Sequence, residues 1–186
     1  DEDAIALARK VVAMLPANNM DEAVDLPRDD MNRELPHLNA IDKVEDVRDV
    51  LRGVAELGDI VELGEDFAPS MVTALGKLGG ATVGFIANQP AKDEGRLTVY
   101  GCKKAARFAA FCDCFSIPVI TVVDSMGMKI STAPQGELSR AGAQHLFALS
   151  EASTPRVALV VGQAIGMSYA SLASRAVSDM VYAWPG

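Results

Sequence analysis

Ile117-Pro118-Val119-Ile120-Thr121-Val122-Val123-Asp124 decides the fold. From Pro118 to Val123 the run is apolar on both faces, which is the pattern of a parallel strand covered by helices. Arg156 to Val161 repeats it after Pro155, with Gly162 expected to break the strand. Helical spacing fills the intervals. Val99 to Phe115 carries Phe108, Phe111, Cys112 and Phe115 on one stripe, and Leu138 to Glu151 buries Gly142, Leu146 and Leu149. Met167 to Ala176 forms a third helix and leads to a last strand, Met180 to Tyr182. Strands alternating with helices in this order predict an α/β architecture.

Upstream the period changes to two. Asp59 to Leu63, Met71 to Leu78 and Ala81 to Ala87 read as strands, the last two joined by Gly79-Gly80, a pair suited to a tight hairpin. A polar loop, Asn88 to Gly95, follows them. Before them, Asp42 to Val54 has helical spacing with Val44, Val47, Leu51 and Val54 on one face. Pro16 to Asn39, with Pro16, Pro27 and Pro36, reads as an extended connection, and residues 2 to 15 as a helix with Ile5, Ala8, Val12 and Leu15 on one stripe. The chain therefore divides into an N-terminal helix and linker, 1–41, and an α/β domain, 42–186. It opens on Asp1 rather than Met, and the expectation is a piece of a longer chain.

Composition bounds the function. The 186 residues are 49% apolar, enough for a full core, and 25 acidic against 17 basic residues give a net charge of −8. A nucleic-acid footprint needs a basic stripe, which such a balance does not supply. The apolar runs are far below the roughly 20 residues of a membrane span. Asp1-Glu2-Asp3 is the reverse of a basic signal-peptide start. Cys102, Cys112 and Cys114 match no zinc spacing and read as free buried thiols of a reducing compartment, hence a cytoplasmic protein.

Two loops follow buried strands, where α/β sheets bind ligands: Asp124 to Pro134 and Gly162 to Ser168. Gly166-Met167-Ser168 opens a helix, whose first N–H groups have no intrahelical acceptor and are able to hold an oxyanion; the plainer reading is a strand-to-helix turn. Gly166-Met167-Ser168-Tyr169-Ala170 is one residue from a G-x-S-x-G elbow, but only Asp179 and no histidine follows Ser168. His145 sits on an apolar helical face and reads as a core or interface residue; His37 lies far upstream. No His/Cys/Asp cluster has metal-ligand spacing, and no phosphate-loop motif is present. Lys103, Lys104 and Arg107 form a basic cluster that meets a phosphate or, more often for such clusters, only solvent.

Several segments in a shared order resemble the C-terminal half of the carboxyltransferase subunit of biotin-dependent acyl-CoA carboxylases. They are Leu15-Pro16-Ala17-Asn18-Asn19, Gly79-Gly80-Ala81-Thr82-Val83-Gly84, Ala87-Asn88-Gln89-Pro90 and Lys104-Ala105-Ala106-Arg107-Phe108. Phe111-Cys112-Asp113, Ile117-Pro118, Val123-Asp124, Glu151-Ala152, Ala164-Ile165-Gly166 and Ser178-Asp179-Met180-Val181-Tyr182-Ala183-Trp184-Pro185 continue in register. The resemblance implies a crotonase-like spiral of ββα units. It also implies carboxylate transfer between carboxybiotin and the α-carbon of an acyl-CoA, with decarboxylase relatives running the reverse step. Gly166, Met167 and Ser168 would then cradle the ureido oxygen of biotin through backbone N–H groups, with Gly127, Met128, Asn88 and Gln89 around the cofactor. The implied partners are an acyl-CoA-binding N-terminal half or subunit, a biotin carrier protein and further copies of the subunit. Two departures stand out. Gly166-Met167-Ser168-Tyr169-Ala170 replaces the family's glycine-glycine-alanine-tyrosine-aspartate, and Ser125-Met126-Gly127-Met128 replaces valine-proline-glycine-phenylalanine. A domain kept for assembly after losing its chemistry is the alternative. Gly162-Gln163-Ala164 with a downstream Met also resembles the crotonase-like caseinolytic serine peptidases, but Gly166 stands in the nucleophile's place.

Overall fold

One sheet organises the computed structural model, which describes residues 2–21, 24–35, 44–130 and 135–184. Its strands lie side by side in chain order: β1 (Ile60–Glu62), β2 (Met71–Leu78), β3 (Ala81–Asn88), β4 (Val119–Ser125), β5 (Arg156–Ala164) and β6 (Met180–Ala183). The first three are antiparallel and β3 to β6 parallel, so the predicted hairpin does precede parallel units. Gly79 and Gly80 turn the hairpin with φ of +61° and +82° and pair Leu78 with Ala81.

Helices α1 (Glu2–Met14) and α2 (Val47–Val54) precede the sheet. Each parallel connection then passes through a helix: α3 (Val99–Cys114), α4 (Gln135–Glu151) and α5 (Met167–Leu172). Cys102, Ala105, Phe108 and Cys112 of α3 pack with Ala141 and Leu149 of α4 and Leu172 of α5 against Ile86, Val119, Val123 and Ala158 of the sheet. The opposite face is covered over β2 and β3 by Val47, Val50 and Leu51 of α2.

That cover is incomplete, which corrects the expectation for the second parallel strand. Leu159 and Val161 of β5 are only half-buried, and Met180, Val181 and Tyr182 of the edge strand β6 are exposed. An eight-residue helix cannot reach across six strands. Four further expectations shift. Met14, rather than Ile5 or Val12, is the buried residue of α1. Residues 42 and 43 lie outside the described residues, and α2 starts at Val47, capped by the Asp46 carboxylate accepting the Arg48 N–H at 2.9 Å. Helix α5 stops at Leu172 rather than Ala176, where the Ser171 and Ser174 hydroxyls bond the Met167 and Ala170 carbonyls and the chain turns away. Gly162 does not break β5 but lies inside it, where the Asp124 carboxylate of the neighbouring strand occupies the place a side chain would take.

The described linker residues 24–35 are held to the domain. Val24 bridges Ala81 and the Asp25 N–H donates to the Gly80 carbonyl at 2.9 Å. Arg33 donates to the Gly53 and Ala55 carbonyls at 2.6 and 2.7 Å.

Candidate functional site

The loops that follow β4 and β5 meet at the carboxyl end of the sheet. The ladder between them shifts register between Val123 and Ser125, which pairs Ser125 with Ala164 and carries β5 past Gly162. The Asp124 carboxylate fills the space beside Gly162 and accepts the Gln163 N–H at 2.9 Å. Beyond it the Ile165 N–H donates to the Ser125 carbonyl at 3.2 Å.

Gly166 then turns the chain into α5 with φ +58° and ψ −121°, a conformation that side-chain-bearing residues do not adopt without strain. A Cβ at this position would meet nothing within 4 Å, so the turn faces open space. The Ser168 N–H, expected to be one of two free donors, turns back to the Ile165 carbonyl at 3.2 Å, and the Ser168 side chain is fully buried. Met167, at the first helical position, has no acceptor for its N–H among the described residues. The Gly166 and Tyr169 N–H groups likewise have none among the described residues, so the turn offers more than one open donor, Met167 among them.

The second loop lies alongside. The Met126 N–H donates to the Glu94 carbonyl at 3.2 Å, Leu97 N–H to the Gly127 carbonyl at 2.8 Å and Lys129 N–H to the Leu97 carbonyl at 2.9 Å. Met128 and Met167 converge over Gly142 of α4, where an added Cβ would lie 3.4 Å from Met128 Cε and 3.6 Å from Met167 Cγ. The structure thus brings together Gly166, Met167, Ser168, Gly127 and Met128.

Asn88 and Gln89 do not share these contacts. Both are fully buried. Asn88 Nδ2 donates to the Gly95 carbonyl at 2.9 Å, and Gln89 Nε2 to the Asp46 carboxylate at 2.6 Å. They hold the polar loop to the sheet and to α2. A cleft of about 750 Å³ opens beside the turn without including it, sharing Met128 and lined also by Phe67, Ser70, Thr98, Tyr100 and Glu137.

The other candidates are structural. Lys104 is buried, not solvated, and donates to the carbonyls of Gly64, Phe67 and Met71 at 2.7, 2.9 and 2.8 Å. Lys103 pairs with Glu137 at 3.5 Å and lies over the Tyr100 ring. Asp179 accepts from the Arg156 N–H and guanidinium at 2.8 and 3.1 Å, so the acid after Ser168 does not orient a catalytic base. His145 is a core residue, fully buried. His37 lies outside the described residues. The three cysteines are free; Cys102 and Cys112 are buried as expected, whereas Cys114 is exposed at the end of α3.

Sequence reasoning assigned no role to Ser125 or Gly142. Ser125 was visible as a departure from the family motif, and Gly142 as a small residue on the buried helical stripe, but nothing in their spacing names the loop each one touches. Among the described residues no helix is long and apolar enough to cross a membrane.

Known proteins match along the whole chain. The family profile described as Carboxyl transferase domain covers residues 1–186. The methylmalonyl-CoA carboxyltransferase 12S subunit of Propionibacterium freudenreichii subsp. shermanii is 39% identical over 193 residues, covering 100% of this chain and 37% of that protein. Methylmalonyl-CoA decarboxylase subunit alpha of Propionigenium modestum is 34% identical, with coverage of 100% and 37%. A solved transcarboxylase 12S hexamer with hydrolysed methylmalonyl-coenzyme A bound superposes with a TM-score of 0.91 at 36% identity, over 97% of this chain and 36% of its own. The chain spans a little over a third of the length of these relatives and matches their C-terminal part.

Proposed function

The chain belongs to the carboxyl transferase domain family, and from this we propose that it is the biotin-side half of an acyl-CoA carboxyltransferase, moving carboxylate between biotin and the α-carbon of an acyl-CoA. Its fold is the crotonase-like one of that family. The observation that carries the proposal is the Gly166–Met167 turn, with an open donor, open space above it and two methionines at its side.

These residues fit biotin. A neutral ureido oxygen needs backbone N–H donors rather than a cation, and the thioether side chains of Met128 and Met167 suit an apolar ring system. Biotin, when bound, supplies the carboxyl carrier and an oxygen on which negative charge develops during transfer. The Met167 N–H, held by the Gly166 turn, would donate to that oxygen where the charge appears, which would favour the transition state over the ground state. The absence of a side chain at Gly166 admits the close approach. Met128 and Met167 exclude water from the same edge. No side-chain base is required of this half.

Residues 1–41 serve in this reading as the linker and 42–186 as the biotin-side domain. The acyl-CoA is held by an N-terminal half or separate subunit, biotin arrives on a carrier protein, and the working form is an oligomer. Free thiols at all three cysteines support a cytoplasmic enzyme. A decarboxylase subunit is the second reading, supported by the decarboxylase relative.

The test is Met167→Pro against Met167→Ala in the complete subunit. Proline at the first helical position keeps the helix but deletes the donor, so kcat for carboxyl transfer is expected to fall about 10²–10³-fold. Alanine keeps the N–H and should stay within about tenfold of wild type. A folded Met167→Pro variant as active as Met167→Ala overturns the donor assignment. A wild-type subunit that assembles yet never transfers or releases carboxylate favours the assembly-domain alternative.

A further inference from the structure

We propose that Ser125 and Ser168 act as one positioning pair that sets the Met167 donor turn against the Gly127–Met128 loop; the inference rests on the function proposed above. The two hydroxyls lie 2.7 Å apart, are fully buried and come from positions 43 residues apart in the chain. Among the described residues theirs is the only side-chain hydrogen bond joining the 126–129 loop region to the 165–168 turn. Ser125 Oγ also accepts the Gly127 N–H at 3.3 Å, and its own carbonyl accepts the Ile165 N–H at 3.2 Å. One residue therefore holds both loops.

The chemistry requires the two serines together. A buried hydroxyl without a partner carries its full desolvation penalty, whereas an apolar pair at the same places carries none. Ser168 Oγ has no side-chain or backbone partner but Ser125 among the described residues, whereas Ser125 Oγ also meets the Gly127 N–H and carbonyl at 3.3 and 3.4 Å. Ser168 directly follows Met167, so anchoring the Ser168 side chain holds the Met167–Ser168 peptide, the neighbour of the one that carries the Met167 N–H. Neither hydroxyl reaches the open space above Gly166, and neither is a catalytic group.

The experiment is a double-substitution cycle in the complete subunit: Ser125→Ala, Ser168→Ala and both together. All three lose the Ser125–Ser168 tie, and Ser125→Ala the Gly127 contacts as well, so kcat should fall at least about tenfold in all three, since small misplacements of a donor are costly. The KM for the acyl-CoA substrate should stay within about twofold, because that substrate is held elsewhere. The double variant should be no slower than the slower single variant. A kcat unchanged in either single variant while its unfolding midpoint drops marks a merely structural bond and overturns the proposal. Multiplying losses in the double variant overturn it equally. If the wild-type subunit transfers no carboxylate, the functional reading fails on its own, and amide hydrogen exchange decides the pair. Faster exchange of both 126–129 and 165–168 in every variant, no faster in the double, upholds the pair; independent effects on the two segments reject it.

Discussion

Burial of His145 makes the protein sensitive to acid. Both ring nitrogens are buried and have no partner among the described residues, and desolvation pushes the imidazole down to about 4. Below pH ~6.5 the unfolded chain takes up a proton that the folded chain refuses, so stability is full above that pH and falls toward pH ~4. Between pH 6.5 and 5 the loss should be about 2 kcal/mol, measured by urea unfolding. His145→Leu should flatten that slope; an unchanged slope would show that other groups set it. The cysteines obey the same logic. Burial pushes the Cys102 and Cys112 thiols up to about 11 and about 12, where little thiolate exists at neutral pH. A thiol reagent should therefore label exposed Cys114 first in the native protein, with mass spectrometry of the digest as the readout. Alanine at Cys102 or Cys112 should lower stability and leave the chemistry alone.

Elements are held by side chains that bond the backbone and one another. Asp46 both caps α2 and accepts from Gln89, so Asp46→Ala should cost about 1–2 kcal/mol in chemical unfolding, at the upper end for a cap. An effect within error would mean that Gln89 and the packing of Val47 suffice. Strand β5 depends on Gly162, where Gly162→Ala drives a methyl group into Asp124. That overpacking should cost about 1–3 kcal/mol, and Asp124→Ala in the same chain should recover part of it. No recovery would locate the strain elsewhere. The carboxyl ends of β4 and β5 are where the site is proposed, so thermal melts should accompany any activity measured on these variants.

The whole molecule presents one side that its own helices do not close. Met180, Val181 and Tyr182 on the edge strand are exposed, as are Ile165 and Tyr169 beside the turn, and they leave the sheet edge free to pair. We therefore expect this chain to associate with itself or with the half that completes it. Size-exclusion chromatography with light scattering checks this; a monomer at every concentration would count against a shared interface. Met180→Lys and Tyr182→Lys together should shift the population toward monomer without altering the circular dichroism.

What the sequence by itself determined was the order and type of elements. Periodicity in Val99–Cys114 and the apolar run at Val119–Val123 are local signals, and Gly79-Gly80 readily takes the positive φ a tight hairpin demands. The family motifs located the Gly166 turn in the same local way. Tertiary structure decided which groups at that turn are available. Ser168 lost its free N–H to a carbonyl three residues back, Asn88 and Gln89 were drawn into holding loops, and Lys104 was turned inward onto three carbonyls. Gly162 stayed within a strand, with a carboxylate from its neighbour in the place a side chain would take. In each case the partner comes from the folded backbone or from another strand or loop, and a buried polar group must find that partner wherever the fold puts it. Spacing along the chain carries the period of a helix or strand, but not the identity of the atom that will lie across from it.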